Sequence, residues 1–317
     1  MDIKLGIDIS KATFDVHDLA SQVHAKYANK PSGFRKLIKK MPANSHVVME
    51  ASGPYYLPLA TFLYELGISV SVVNPLQIKR YSQMRLNRTK TDKKDAKLIA
   101  EYAASQQPES WSPPPAVILQ INQLFTATAL KQKHLTGLRN QQKAFKASGV
   151  PNPLLQKELT TDIRTAKDRI KRYKAQMQQL CKLHYPQSFG HLRSIPSIGP
   201  MNACMLIALT HDFTRFENHR QLAAYVGLCP SVFESGSSVK GMGHICKLGA
   251  KLPRQLLYLA ALTAKRGNLA CKELYERLLA KGKPKKVALI AVAHKLLIQA
   301  FHVGTKKEDY KSLKIAA

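Results

Sequence analysis

Three consecutive prolines, Pro113-Pro114-Pro115, limit what this chain can fold into more than any other feature. A run of fixed φ angles without N–H donors continues neither a helix nor a central strand, so a fold must break there. The hydrophobic pattern differs on the two sides. Before the prolines, period-two stretches at 3–10, 12–18 and 23–28 read as strands. A helix follows, capped by Ser32 and running through Met41, then a short buried strand at Val47-Val48-Met49. Leu57 to Leu66 reads as a helix, Ile68 to Val73 as a β-branched strand ending at Asn74-Pro75, and about Asp92 to Ser105 as a helix. Residues 1–110 therefore form an α/β domain.

After the prolines the pattern is helical. Residues 116–147 make one long helix, Ser148 to Pro153 breaks it, and a second helix runs from about Leu154 to Leu183. Its apolar Leu155, Leu159, Ile163, Ala166, Ile170, Tyr173, Met177 and Leu180 recur at spacings of three and four. That stripe suits a coiled-coil seam between subunits or a helical hairpin within one chain. Residues 111–185 are thus a helical coiled-coil region suited to assembly, and 186–317 a mainly α domain interrupted by a Gly/Ser-rich stretch from Gly227 to Gly249.

The chain carries 49 Lys+Arg against 20 Asp+Glu, a net charge of +29. The excess is +6 in 1–110, +10 in 111–185 and +13 in 186–317. A surface of that sign attracts a polyanion such as DNA or RNA. Five scattered cysteines without a CxxC argue against zinc, no secretory pattern opens the chain, and the apolar runs are too interrupted for a membrane span. The expected setting is reducing and cytoplasmic, without membrane contact.

Against this basic background four acids stand out. Asp8 and Glu50 end two predicted strands, and Asp92 and Asp95 share one face of a helix. Gly6 lets a backbone or a phosphate approach beside Asp8. Carboxylates on a basic surface repel phosphate unless a divalent cation lies between, and a set of oxygen ligands suits Mg²⁺ or Mn²⁺. Taken singly, each acid is equally a turn, surface or helix-cap residue. Lys79, Arg80, Arg85, Arg88, Lys90, Lys93 and Lys94 border the acids and would guide a nucleic-acid strand.

The segments Gly6-Ile7-Asp8-Ile9-Ser10-Lys11, Met49-Glu50-Ala51-Ser52-Gly53-Pro54-Tyr55, Asn74-Pro75 and Lys90-Thr91-Asp92-Lys93-Lys94-Asp95-Ala96 resemble the signature of the DEDD transposases of the insertion sequence one-ten family. The resemblance implies a ribonuclease-H-like first domain of the RuvC type and a metal bound by Asp8, Glu50, Asp92 and Asp95. It also implies a second catalytic segment. Gly227-Leu228-Cys229-Pro230, followed by Glu234-Ser235-Gly236-Ser237-Ser238-Val239-Lys240-Gly241, is by chemistry either a plain polar loop or a phosphate cradle, with Lys240, His244 and Lys247 nearby. In the family the serine before the glycine is the nucleophile, which carries onto Ser235.

Family likeness further implies a prokaryotic, nucleoid-associated recombinase that joins donor and target DNA, guided by a structured noncoding bridge RNA and working as a dimer or tetramer. Two rival readings are a metal-dependent junction nuclease using water and a non-catalytic nucleic-acid-binding protein. Ile195-Pro196-Ser197-Ile198-Gly199-Pro200 followed by Ala203 resembles a helix–hairpin–helix, read as a DNA-backbone contact or as a packing unit. Lys281, Lys283, Lys285 and Lys286 form a further basic cluster.

Overall fold

The computed structural model describes residues 3–86, 91–231, 234–235, 239–240, 244–245 and 249–311, with the backbone alone at 230, 231, 234, 235, 239, 240 and 244. The chain divides into two compact units, Met1–Pro113 and Pro114–Ala317.

The first unit is built on strands β1 (Ile3–Ile9), β2 (Thr13–Asp18), β3 (His24–Ala28), β4 (Ser45–Glu50) and β5 (Ser69–Val73), with helices α1 (Pro31–Lys40), α2 (Leu57–Glu65), α3 (Pro75–Met84) and α4 (Asp92–Gln106). The sheet order is β3-β2-β1-β4-β5. β1, β2 and β3 form an antiparallel meander, while β1–β4 and β4–β5 pair in parallel. Both faces are covered. Leu5, Ile7 and Ile9 of β1, with Phe14 and Val16 of β2, pack on Phe34 and Leu37 of α1 and on Leu59 and Leu63 of α2. Val48 and Val73 pack on Ile78 of α3 and on Leu98, Ile99 and Tyr102 of α4. The period-two pattern of β1 thus turns its odd residues to one helical layer and leaves Gly6 and Asp8 for the other.

Two local expectations need correction. Ser32 lies inside α1, whose N-cap is Lys30 with Pro31 at the first helical position. Asn74-Pro75 opens a helix as well as closing a strand. Asn74 caps α3 through its side chain, Gln77 completes a capping box, and Pro75 takes the first position, where no intrahelical N–H is needed.

The second unit begins with a helical hairpin, α5 (Ala116–Ala147) and α6 (Pro153–His184), α6 being capped by Asn152. Leu135 of α5 packs with Ile163, Ala166 and Ile170 of α6, so these seam residues are buried within one chain. At the other end of the hairpin Ile118, Ile121, Phe125, Met177 and Cys181 join the core of α7 (Pro186–Ser194), α8 (Pro200–Thr210), α9 (His219–Val226), α10 (Lys251–Gly267), α11 (Leu269–Ala280) and α12 (Lys285–Lys306). Among the described residues α12 is long and apolar enough to cross a membrane, which amends the expectation that every apolar stretch falls short. Most of that stretch is buried in the core. Ile195 and Ile198 between α7 and α8, and Ala203 in α8, are core residues, and Ser197 adopts φ +78°, where glycine is favoured. Between α9 and α10 the described residues include four two-residue strands, β6 (Pro230–Ser231), β7 (Glu234–Ser235), β8 (Val239–Lys240) and β9 (His244–Ile245).

Candidate active site

The first site grows out of one close approach. A Cβ on Gly6 would overlap the Ala96 carbonyl oxygen and the Ala100 nitrogen, so α4 lies directly on β1 because residue 6 has no side chain. That contact brings the first turn of α4 towards the end of β1. Thr91 caps the helix by accepting from the Lys94 N–H at 3.3 Å, and Asp92 and Asp95 both fall in the first turn, where negative charge suits the macrodipole. From the other side, Ile7 pairs with Met49 in the parallel ladder. Asp8 and Glu50 each follow that pair by one residue and lie at the carboxyl ends of neighbouring strands. Glu50 accepts a hydrogen bond from the Ser52 hydroxyl at 2.8 Å.

The four acids act on one another. Burial and, in decreasing order, the charges of Asp95, Asp92, Glu50 and Asp15 push the Asp8 carboxyl up from 3.8 to about 6. Among the described residues no three acids, histidines or cysteines stand as a ready-made ligand cluster, so the influence on Asp8 is that of charges in one field rather than of ligands in contact. The donor set still fits a hard cation that keeps several waters. All four donors are carboxylates, and the charges acting on Asp8 raise its carboxyl.

Sequence reasoning missed a second group here. Asp15 lies opposite Asp8 in the antiparallel register and its carboxylate is only 7% exposed. It holds His24 at 2.8 Å and Lys26 at 3.3 Å, and the Lys26 ammonium reaches Asp92 at 3.6 Å. The hydrogen bond to Asp15 is the main reason the Lys26 ammonium is held above its ordinary pKa. The signal was the alternation His24, Lys26 along β3, facing His17 and Asp15 on β2. It becomes legible only once the register is known. His17, on the same strand as Asp15, is buried with neither ring nitrogen hydrogen-bonded, and burial lowers its pKa.

The basic residues expected around the acids divide. Arg85 and Lys94 line a cleft of about 580 Å³ that also includes Asp95 and Lys97. Arg85 is tied to Glu101 at 3.2 Å. Lys79, Arg80 and Lys93 are exposed, Arg80 donating to Gln83 at 3.0 Å. Arg88, Lys90 and Lys247 lie outside the described residues.

The serine segment is not a plain loop. β6 pairs with β9 and, inside that pair, β7 with β8, both antiparallel. Ser235 stands opposite Val239, and Glu234 opposite Lys240. Ser237 and Ser238, between β7 and β8, lie outside the described residues.

Comparison with known proteins now bears on both segments. A DEDD transposase model of the IS110 type matches residues 5–145, which include all four acids. The model described as Transposase IS116/IS110/IS902 family matches residues 190–276, which include Ser235. A pilin gene-inverting protein of Moraxella bovis is 31% identical over 311 residues, covering 94% of each chain.

The chain belongs to the IS116/IS110/IS902 transposase family.

Other members similar to this transposase are a probable family 20 transposase of Pseudomonas aeruginosa, 26% identical over 92% of this chain and 94% of that protein, and the transposase for insertion sequence element IS1111A of Coxiella burnetii, 24% identical over 98% and 92%.

Proposed function

We propose that this protein is a DNA recombinase of an insertion element that cuts and rejoins strands through a serine-linked intermediate assisted by a divalent metal. The observation that carries the reading is the convergence of four acids from β1, β4 and α4, where burial and the charges of Asp95, Asp92 and Glu50 raise the Asp8 carboxyl, inside a family of DEDD transposases. The β3-β2-β1-β4-β5 order, with its antiparallel meander and two parallel strands, is compatible with a ribonuclease-H-like domain of the RuvC type.

In this mechanism Asp8, Glu50, Asp92 and Asp95 hold Mg²⁺ or Mn²⁺, which when bound polarises the scissile phosphate and offsets its charge. Ser235 Oγ forms the new bond to phosphorus and its proton passes to a base. The bond from phosphorus to the leaving sugar oxygen breaks, and that oxygen takes up a proton. One phosphate ester replaces another, so rejoining to a new strand end needs no external energy source. Lys79, Arg80, Arg85, Arg88, Lys90, Lys93, Lys94, Lys240 and Lys247 are the proposed phosphate contacts. Guidance by a structured noncoding RNA follows from the sequence resemblance, and the net charge of +29 is compatible with binding both nucleic acids.

Working on two duplexes requires more than one copy of the active site. With Ile163 and Ile170 used inside the hairpin, the exposed apolar residues at its turn are the surface proposed for subunit pairing. Val150 is 89% exposed and Leu154 63%.

The deciding experiment uses a DNA substrate nicked beside the cut, so that a covalent intermediate is trapped. A DNA adduct on Ser235, lost in Ser235→Ala and absent in EDTA, is expected. Cleavage without any adduct would favour a water-using nuclease, and an adduct on Ser237 or Ser238 would move the nucleophile.

A further inference from the structure

A groove of about 950 Å³ runs along the hairpin between α5 and α6. Leu135 and Ile170 form part of its floor, and Lys167, Lys171, Lys174 and Lys182 line one wall. No acidic and no aromatic residue lines it. Among the described residues none of these four lysines has a carboxylate within ion-pair distance. The acids of α6, Glu158, Asp162 and Asp168, lie outside the groove, and α5 contains no acid at all.

An ordinary solvated helix face interleaves opposite charges three and four residues apart. Here Lys167 and Lys171 are four apart, and Lys171 and Lys174 three apart, so like charges repel along one ridge. Asp168 stands three residues from Lys171 without forming an ion pair to it, so among the described residues the four lysines keep a net positive ridge that a polyanion would neutralise. Lys167 to Lys182 spans about 22 Å of helix axis, the axial rise of roughly six base pairs of duplex DNA. Without aromatic side chains the groove has no platform on which unpaired bases could stack, which favours a paired backbone over a single strand.

We infer that this groove holds the sugar–phosphate backbone of duplex DNA, with the four lysines each neutralising a phosphate. The inference rests on the reading of the chain as a DNA recombinase and adds a contact surface separate from both candidate catalytic segments. Such a surface would fix where the duplex lies without reading its sequence.

The test measures binding of the full-length protein to a fluorescent DNA duplex over a series of KCl concentrations. The quadruple variant Lys167→Gln, Lys171→Gln, Lys174→Gln, Lys182→Gln keeps good helix formers, and its helix content is checked by circular dichroism. Its slope of log K against log[salt] should be shallower than wild type by roughly 3 to 4, since each lost phosphate contact removes about 0.9. The matching four-fold Lys→Arg variant should keep the wild-type slope. A charge control, Lys36→Gln, Lys39→Gln and Lys40→Gln on exposed positions of α1, should change it little. An unchanged slope in the quadruple variant, or a change no larger than in the control, overturns the inference. Loss confined to a structured RNA hairpin overturns the assignment to DNA. A wild-type protein that binds no DNA at any salt overturns the parent reading itself.

Discussion

The two candidate catalytic segments are built in opposite ways. The acids of the first unit come from residues 8, 50, 92 and 95, far apart in sequence, and are fixed by a five-stranded sheet buried on both faces. The serine segment of the second unit lies within one short stretch, held by two ladders of two residues each. A rigid frame can impose an unfavourable charge arrangement because core packing offsets its cost. The electrostatic strain on Asp8 belongs to this rigid first frame.

The largest effect tests that contrast directly. Asp8→Asn and Ser235→Ala should each lower strand cleavage by about a thousandfold or more. Their stabilities should differ. Asp8→Asn removes a repelled, half-buried carboxylate and should stabilise the metal-free protein at pH 7 by roughly 1–2 kcal/mol after allowance for screening. Ser235→Ala should leave stability within about 0.5 kcal/mol of wild type. Urea unfolding of both variants checks this, and a destabilised Asp8→Asn would remove the claim of strain.

Next in size is the contact that creates the first site. Gly6→Ala places a methyl group against backbone atoms of α4, which no rotamer change relieves. It should cost about 3 kcal/mol or displace α4 and its two acids. Trp111, the single tryptophan, packs edge-on against Tyr56 and Tyr64 in the same unit, so its fluorescence follows this unfolding. A variant with wild-type stability and activity would show that Gly6 is not the constraint.

The hairpin offers a smaller contrast within the second unit. Ile163→Asp or Ile170→Asp buries a charge between α5 and α6 and should cost roughly 2–3 kcal/mol through loss of the hairpin itself. Leu154→Asp with Leu155→Asp, both exposed positions, should leave unfolding nearly unchanged and reduce the mass seen in light scattering. Unchanged mass in the exposed pair would place subunit contacts elsewhere.

Much of this was legible in the sequence, for identifiable reasons. Period-two runs marked β1 to β3, the unbroken stretch between the prolines and Ser148 marked α5, and apolar spacings of three and four marked α6. Residue types and spacing singled out the four acids. What escaped was whatever depends on partners. Asn74, Pro75 and Gln77 carried a full helix start, but the basic run beyond them obscured α3. The apolar stripe of α6 left its partner open, because intrachain and interchain seams have the same spacing. Asp15, His24 and Lys26 form a group only through β2–β3 register, which no linear pattern displays.

Opposed pH dependences provide a finer comparison of the units. Asp8 has a folded value of about 6 against 3.8, so the folded state binds its proton more tightly. Its favourable contribution is complete below about pH 4 and is lost as pH rises through 6. His211, in the second unit, is lowered from 6.5 to about 4 by burial and then by Arg215. Its contribution is present above 6.5 and is lost as pH falls towards 4. His17, also lowered, works against Asp8 within the first unit, so Asp8→Asn is needed to isolate the term. The stabilisation of Asp8→Asn over wild type, followed by Trp111 fluorescence, should shrink as pH falls from 7 to 4. His211→Gln, followed by circular dichroism of the helical unit, should gain on wild type over the same fall. Parallel curves in either pair would remove that group from the argument.

The smallest expected effect concerns Lys26, whose ammonium lies between the buried Asp15 and Asp92. Its ammonium lies 3.6 Å from Asp92, whose carboxylate is otherwise largely exposed. A divalent cation bound by Asp92 must share that oxygen or displace the ammonium, so the two compete. Lys26→Gln should tighten Mn²⁺ binding roughly threefold, as expected for removing one exposed competing charge. Lys26→Arg should stay near wild type, because the charge remains. Asp15→Asn should act in the other direction on Lys26, releasing it from its stronger partner at 3.3 Å and making it a more effective competitor at Asp92. Isothermal titration of metal-free protein with Mn²⁺ measures all three without any DNA present. Tighter binding in Lys26→Gln together with weaker cleavage would mean that the ammonium moves from carboxylate to phosphate when substrate arrives. A merely structural lysine would weaken both, and equal Mn²⁺ affinity across the three variants would leave Lys26 no part in the site.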